Sequence, residues 1–194
     1  MRDVRPWTYA ALFGTLWGGL EATLGTIVYL GKVPFRGTLM GLAGLLCLIC
    51  LRRLQPRPGI CLLAGAVAVF LKVFTLGGVY PGPIIGISIQ ALAVELAMTG
   101  TGGRRVGAAI GGFLTLASNP LQKLAMTWIV SGSEAARAAL DLMARSTEAI
   151  GLAGLSSLTI VGGVVMATGL VGAVGGLWSW SVAGRVSERI GGSG

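Results

Sequence analysis

Apolar residues dominate six stretches of this chain, at about 7–29, 35–53, 59–76, 83–100, 105–130 and 157–182. Each holds close to the roughly 20 residues that a helix needs to cross a bilayer core about 30 Å thick. Between them the sequence breaks sharply. "RRLQPRPG" at 52–59 and "TGTGGRR" at 99–105 are basic and rich in Pro or Gly, as helix-to-helix connections are. The pattern predicts an all-α integral membrane protein with six transmembrane helices, forming one domain over residues 1–190. Residues 191–194 are expected to be a flexible tail. Composition agrees: 54% of residues are hydrophobic and 11% charged, against about 25% charged in a soluble domain, which leaves no room for a separate soluble unit.

The basic residues give the orientation, because Lys and Arg collect on the cytoplasmic side. Arg2, Arg5, Arg52, Arg53, Arg57, Arg104, Arg105, Arg185 and Arg189 fall on one side of the six spans; Lys32, Arg36, Arg137 and Arg145 fall on the other. Nine against four predicts that both termini are cytoplasmic. This distribution also accounts for the formal net charge of +8 without nucleic acid. Trp7, Trp178 and Trp180 mark the inner interface, and Tyr29, Tyr80 and Trp128 the outer one, as aromatic belts do. Trp17 sits mid-span, where neither belt reaches. The long fifth loop should carry a short amphipathic helix over 133–149, opened by a Ser131-x-x-Glu134 capping box. Glu134, Arg137, Asp141, Arg145 and Glu148 share one face of it, and Leu140 and Met143 lie on the other. It rests on the membrane surface or covers an external site. The N-terminal "MRDVRPW" runs straight into the first span, so a cleaved signal peptide is not expected.

Several chemistries lack their residues. With no histidine, the usual proton relay and the commonest transition-metal and haem ligand are absent. Cys47-x-x-Cys50 and Cys61 lie within apolar helices on the cytoplasmic side and read as small core residues, not as a metal or redox site. There is no Walker A, H-E-x-x-H, G-x-S-x-G or kinase pattern. Neither an enzyme nor a cofactor is expected.

Four ionisable residues fall inside the spans: Glu21, Lys72, Glu95 and Lys123. Each costs on the order of 3 kcal/mol at mid-helix, so each should face the protein interior or water. Two readings stand: pairing among themselves, Glu21 with Lys123 above all, or binding a solute. Lys72 near a helix end has a third option, snorkelling to the interface. By depth, Glu21, Lys72 and Lys123 gather on the outer side with a net charge of +1, which favours a ligand with an anionic group. Span five also carries "SNPLQK" at 118–123, where Pro120 removes a helical hydrogen bond near residue 116. Freed carbonyls there need Ser118, Asn119, a neighbouring helix or water. The candidate solute-binding residues are Lys123, Asn119 and Gln122 on span five, Gln90 on span four, Tyr80 in the third loop, Glu21 on span one and Lys72 on span three. Gln122 and Lys123 point about 100° apart, so both cannot lie at the centre of one small pocket.

Small residues recur at four-residue spacing: Ala10, Gly14, Gly18 and Ala22 in span one, Gly37 and Gly41 in span two, Gly107 and Gly111 in span five, Gly172 and Gly176 in span six. Such stripes let helices approach closely. With its size, its six spans and this A-x-x-x-A-like stripe on the first, the chain resembles the substrate-binding S component of energy-coupling factor (ECF) transporters. The resemblance covers nearly the whole chain and is architectural. It implies capture of a vitamin-like organic solute beneath loops one, three and five, in the plasma membrane of a prokaryote. It also implies a membrane coupling subunit, docked on Ala10, Gly14, Gly18 and Ala22, and two cytoplasmic ATPases, with transport by toppling of the S component in lipid. A self-contained secondary transporter or channel, and a ligand-free accessory subunit, are the alternatives.

Overall fold

The computed structural model describes residues 4–31, 36–76, 81–149 and 156–191. They form six helices: α1 Arg5–Leu30, α2 Arg36–Leu54, α3 Ile60–Leu76, α4 Pro81–Gly100, α5 Arg105–Ala149 and α6 Ser157–Gly191. Of these, α2, α4 and α6 are long and apolar enough to cross a membrane, and α3 is a shorter apolar helix. Large apolar side chains such as Leu16, Phe70, Leu96, Leu114 and Val174 point outward around the bundle, as they would toward lipid.

Glycine contacts give the packing. Gly14 and Gly18 of α1 lie against Ala64, Val67, Ala68 and Leu71 of α3, so those two helices run parallel. Gly41 of α2 meets Leu116 of α5, and Gly112 of α5 meets Leu45 of α2, so that pair is antiparallel. The helices alternate in direction throughout, and α2 touches all five others. One end of the bundle therefore holds the starts of α1, α3 and α5 and the finishes of α2, α4 and α6.

The tightest crossing joins α5 to α6. A side chain at Gly172 would strike the backbone of Gly112, and one at Gly176 the backbone of Ala108. Only residues without bulk permit that approach. Gly107 and Gly111 face the other way, against Ala97, Met98 and Val94 of α4. A stripe at four-residue spacing has a twin one residue on, and here the two serve different neighbours.

The span-one stripe is also internal. Ala10, Gly14 and Gly18 are buried, the two glycines against α3, and Ala22 is half-buried. At Gly14 and Gly18 that smooth face is occupied by α3 within this chain.

Two helices outrun their apolar stretches. α5 continues to Ala149, leaving helical geometry only at Gly132 (φ 84°, ψ 175°), a conformation essentially confined to glycine. The amphipathic segment after it is helical, with Ala136 buried and Glu134, Arg137 and Asp141 exposed. α6 runs to Gly191 instead of stopping near 182, and α4 begins at Pro81, two residues before its expected start. Pro81 and Pro83 fit that first turn because their missing N–H groups have no partner there anyway.

Candidate functional site

Three of the four span charges are paired. Lys72 is buried; its Nζ lies 3.2 Å from Glu21 Oε2 and donates to the Glu21 carbonyl oxygen at 2.9 Å. It does not snorkel, and Glu21 takes Lys72 as its partner instead of Lys123. A side chain at Gly25 would lie 3.6 Å from Lys72 Nζ and 3.8 Å from Met40 Sδ, so the pair sits where α1, α2 and α3 meet.

Glu95 is held at the opposite end. Its Oε1 lies 3.6 Å from Arg52 Nη1 and accepts from Gly59 N at 2.8 Å and Thr99 Oγ1 at 2.8 Å, while Oε2 accepts from Cys61 N at 3.0 Å. The carboxylate thus caps the start of α3 from a different helix. That is needed because position 59 is a glycine with φ 85° and has no side chain to do it. The negative charge also meets the positive end of the α3 dipole. Arg52 is buried too, donating to Thr99 Oγ1 at 2.9 Å and to the Arg57 carbonyl. Arg52 was expected in a connection; α2 carries it to its last turn, level with Glu95. The signal that could have paired them was depth alone, since both fall near the same ends of spans two and four.

The amides of the candidate site tie helices together. Gln90 is buried and its Nε2 donates to the Gly41 carbonyl at 2.7 Å. Asn119 Nδ2 donates to the Gly37 carbonyl at 3.2 Å and Gln122 Nε2 to the Gly82 carbonyl at 2.6 Å. So Asn119 joins α5 to α2, and Gln122 joins α5 to α4. The backbone stays helical through Pro120, with Ser118 Oγ donating to the Thr115 carbonyl at 2.8 Å. Lys123 is exposed and, among the described residues, has no carboxylate partner. Asn119 and Lys123 stand one turn apart on α5, whereas Gln122 turns toward Gly86. Tyr80 lies outside the described residues.

Sequence reasoning missed the setting of Trp17. It is fully buried, with its indole nitrogen and the Gln90 amide nitrogen both converging on Gly44. A side chain at 44 would strike both, so Gly44 lets α1, α2 and α4 close at mid-height. The Trp17 N–H has no hydrogen-bond partner among the described residues.

An apolar groove of about 580 Å³ runs between α3 and α4, lined by Leu62, Gly65, Val69, Phe70, Phe74 and Ala91. It includes neither Lys123 nor its neighbouring amides. Cys47, Cys50 and Cys61 are buried free thiols, and the described residues contain no cluster of acidic or sulfur side chains suited to a metal.

Compared with known proteins, the chain matches no family model, no curated protein and no solved structure at a significant level.

Proposed function

We propose that the chain is a six-span protein of a prokaryotic plasma membrane, with both termini in the cytoplasm, and that it is the substrate-binding subunit of an ECF-type importer. In this reading it captures a vitamin-like organic solute bearing an anionic group, and a coupling subunit with two ATPases drives uptake. The observation that carries it is Lys123: Glu21, Lys72 and Glu95 are neutralised inside the bundle, and Lys123 alone of the four is exposed with no carboxylate partner among the described residues. A cation kept within a span at a cost on the order of 3 kcal/mol points to a ligand anion or water beside it. Asn119 shares its face, one turn away, as a second polar contact. Gln90, Gln122 and the Glu21–Lys72 pair hold the surrounding helices in place. Gly14 and Gly18 of the expected docking stripe are covered by α3, so the coupling subunit would dock beside them. The test is binding: Lys123→Met, in a protein that still folds, should release the small molecule that co-purifies with the wild type.

One observation favours the alternative of a self-contained secondary transporter. Glu21–Lys72 and Arg52–Glu95 are buried ion pairs at opposite ends of the bundle, where alternately opening gates would lie. Proton-dependent uptake into vesicles that lack any ATPase would favour it.

A further inference from the structure

Trp17 and Gln90 each keep one polar group that nothing in the bundle answers. Trp17 is fully buried, and its indole N–H has no hydrogen-bond partner among the described residues. Gln90, only 7% exposed, donates through Nε2 to the Gly41 carbonyl, and none of the described residues donates to its Oε1. The reverse orientation of the amide would set two oxygens 2.7 Å apart, so Oε1 is the atom left over. The two side chains are neighbours: Trp17 Nε1 and Gln90 Nε2 lie 2.5 and 2.6 Å from the point that a Cβ on Gly44 would occupy. One place in the bundle thus holds an unused donor beside an unused acceptor, in an interior where polar groups are normally paired.

One face of α2 leads from there to Lys123. Gly37, Gly41 and Gly44 follow one another at helical spacing and carry no side chains. Asn119 donates to the Gly37 carbonyl and lies against Gly41, Gln90 bonds Gly41, and Trp17 closes on Gly44. Lys123 stands one turn beyond Asn119 on α5, exposed. Two amides and an indole therefore line one glycine face, from the exposed lysine to mid-height. Water could satisfy the inner pair but would need no such row, and no cation at its far end.

We propose that Trp17 and Gln90 form the inner end of the solute site and there take the edge of a cyclic amide or urea, whose C=O accepts from the Trp17 N–H and whose adjacent N–H donates to Gln90 Oε1. This subsite rests on the solute-binding reading and adds to it the class of solute, an anion that carries such a ring. Leu116, which lies over Gly41, is the side chain that turns aside to admit it.

The test uses a fragment of that chemistry, ethylene urea, and its N,N′-dimethyl derivative, which keeps the carbonyl and loses both N–H groups. Proton NMR of the full chain in detergent follows the indole N–H signals of the five tryptophans, that of Trp17 being the one missing from Trp17→Phe. Ethylene urea should shift the Trp17 signal and leave the other four in place. The dimethyl derivative should bind about ten-fold more weakly, the loss of one hydrogen bond to a buried acceptor. Gln90→Leu should bring the two compounds to equal affinity; if that variant does not fold, their comparison on the wild type decides alone. No shift at Trp17, or equal binding of both compounds by the wild type, overturns the proposal and leaves the inner pair to water. Lys123→Met should leave the response to ethylene urea unchanged. A responsive Trp17 in a protein that carries no organic anion would therefore uphold the subsite and count against the importer reading, whereas a bound anion with a silent Trp17 would do the reverse.

Discussion

Lys72 Nζ lies 3.2 Å from Glu21 Oε2 and 2.9 Å from the Glu21 carbonyl oxygen, so one ammonium neutralises a carboxylate and ties α3 to α1 at two points. Removing one partner leaves the other charge in a largely desolvated site. Lys72→Met is expected to cost about 2 kcal/mol, the penalty for stranding a charged hydrogen-bonding group. The double variant Glu21→Gln with Lys72→Met should lose less than the two single losses added together. Thermal melting of the four proteins in one detergent checks this; strictly additive losses would contradict the pairing.

Glu95 should be the more costly position. Glu95→Gln removes charge from Arg52 and weakens the cap on Gly59 and Cys61 together, with an expected loss of about 3 kcal/mol. Hydrogen exchange should then speed up at the first turn of α3, near Ile60 to Leu63, before it does elsewhere. Uniform destabilisation with no local change there would show that the cap is not what Glu95 provides.

The α5–α6 crossing gives a matched pair of glycine substitutions. Gly176→Ala must push the Ala108 backbone away and is expected to destabilise by about 2 kcal/mol, as overpacking does. Gly163→Ala, also in α6 but with nothing among the described residues within 4 Å of the added methyl, should be neutral or slightly stabilising because Ala is the better helix former. Melting temperatures of the two variants, measured side by side, decide it.

Much of this fold was legible because hydropathy, helix length and breaker residues all report on where apolar helices lie. α2 and α3 begin and end within a residue of their expected bounds. The same signal fails where a helix leaves the apolar zone. The 133–149 turns of α5 are helical as their three- and four-residue charge spacing predicts, whereas nothing in hydropathy marks the 181–191 turns of α6. Pairing was less legible. Depth placed Glu21, Lys72 and Lys123 together, but which lysine meets Glu21 depends on helix rotation, and the close Gly14–Val67 and Gly18–Leu71 contacts set that by turning α1 onto α3. The same rotation turned Gly14 and Gly18 of the span-one stripe inward. Asn119 and Gln122 were correctly singled out as unusual for a span, yet their bonds to Gly37 and Gly82 are backbone contacts that no residue pattern announces.

Lys123 separates stability from function. It is exposed and unpaired among the described residues, so Lys123→Met should leave the melting temperature within about 2 °C of wild type, as an exposed substitution contributing under about 0.5 kcal/mol does. A large loss of stability would mean that the lysine has a structural partner.

The most direct measurement of the central claim is native mass spectrometry of the protein extracted from its own membrane, run beside Lys123→Met. The account predicts that the wild type carries a small organic molecule with an anionic group, that ATPase subunits co-purify, and that the variant keeps its fold and the ATPases but loses the small molecule. A folded wild-type protein free of both, or a bound molecule retained undiminished by Lys123→Met, would contradict it.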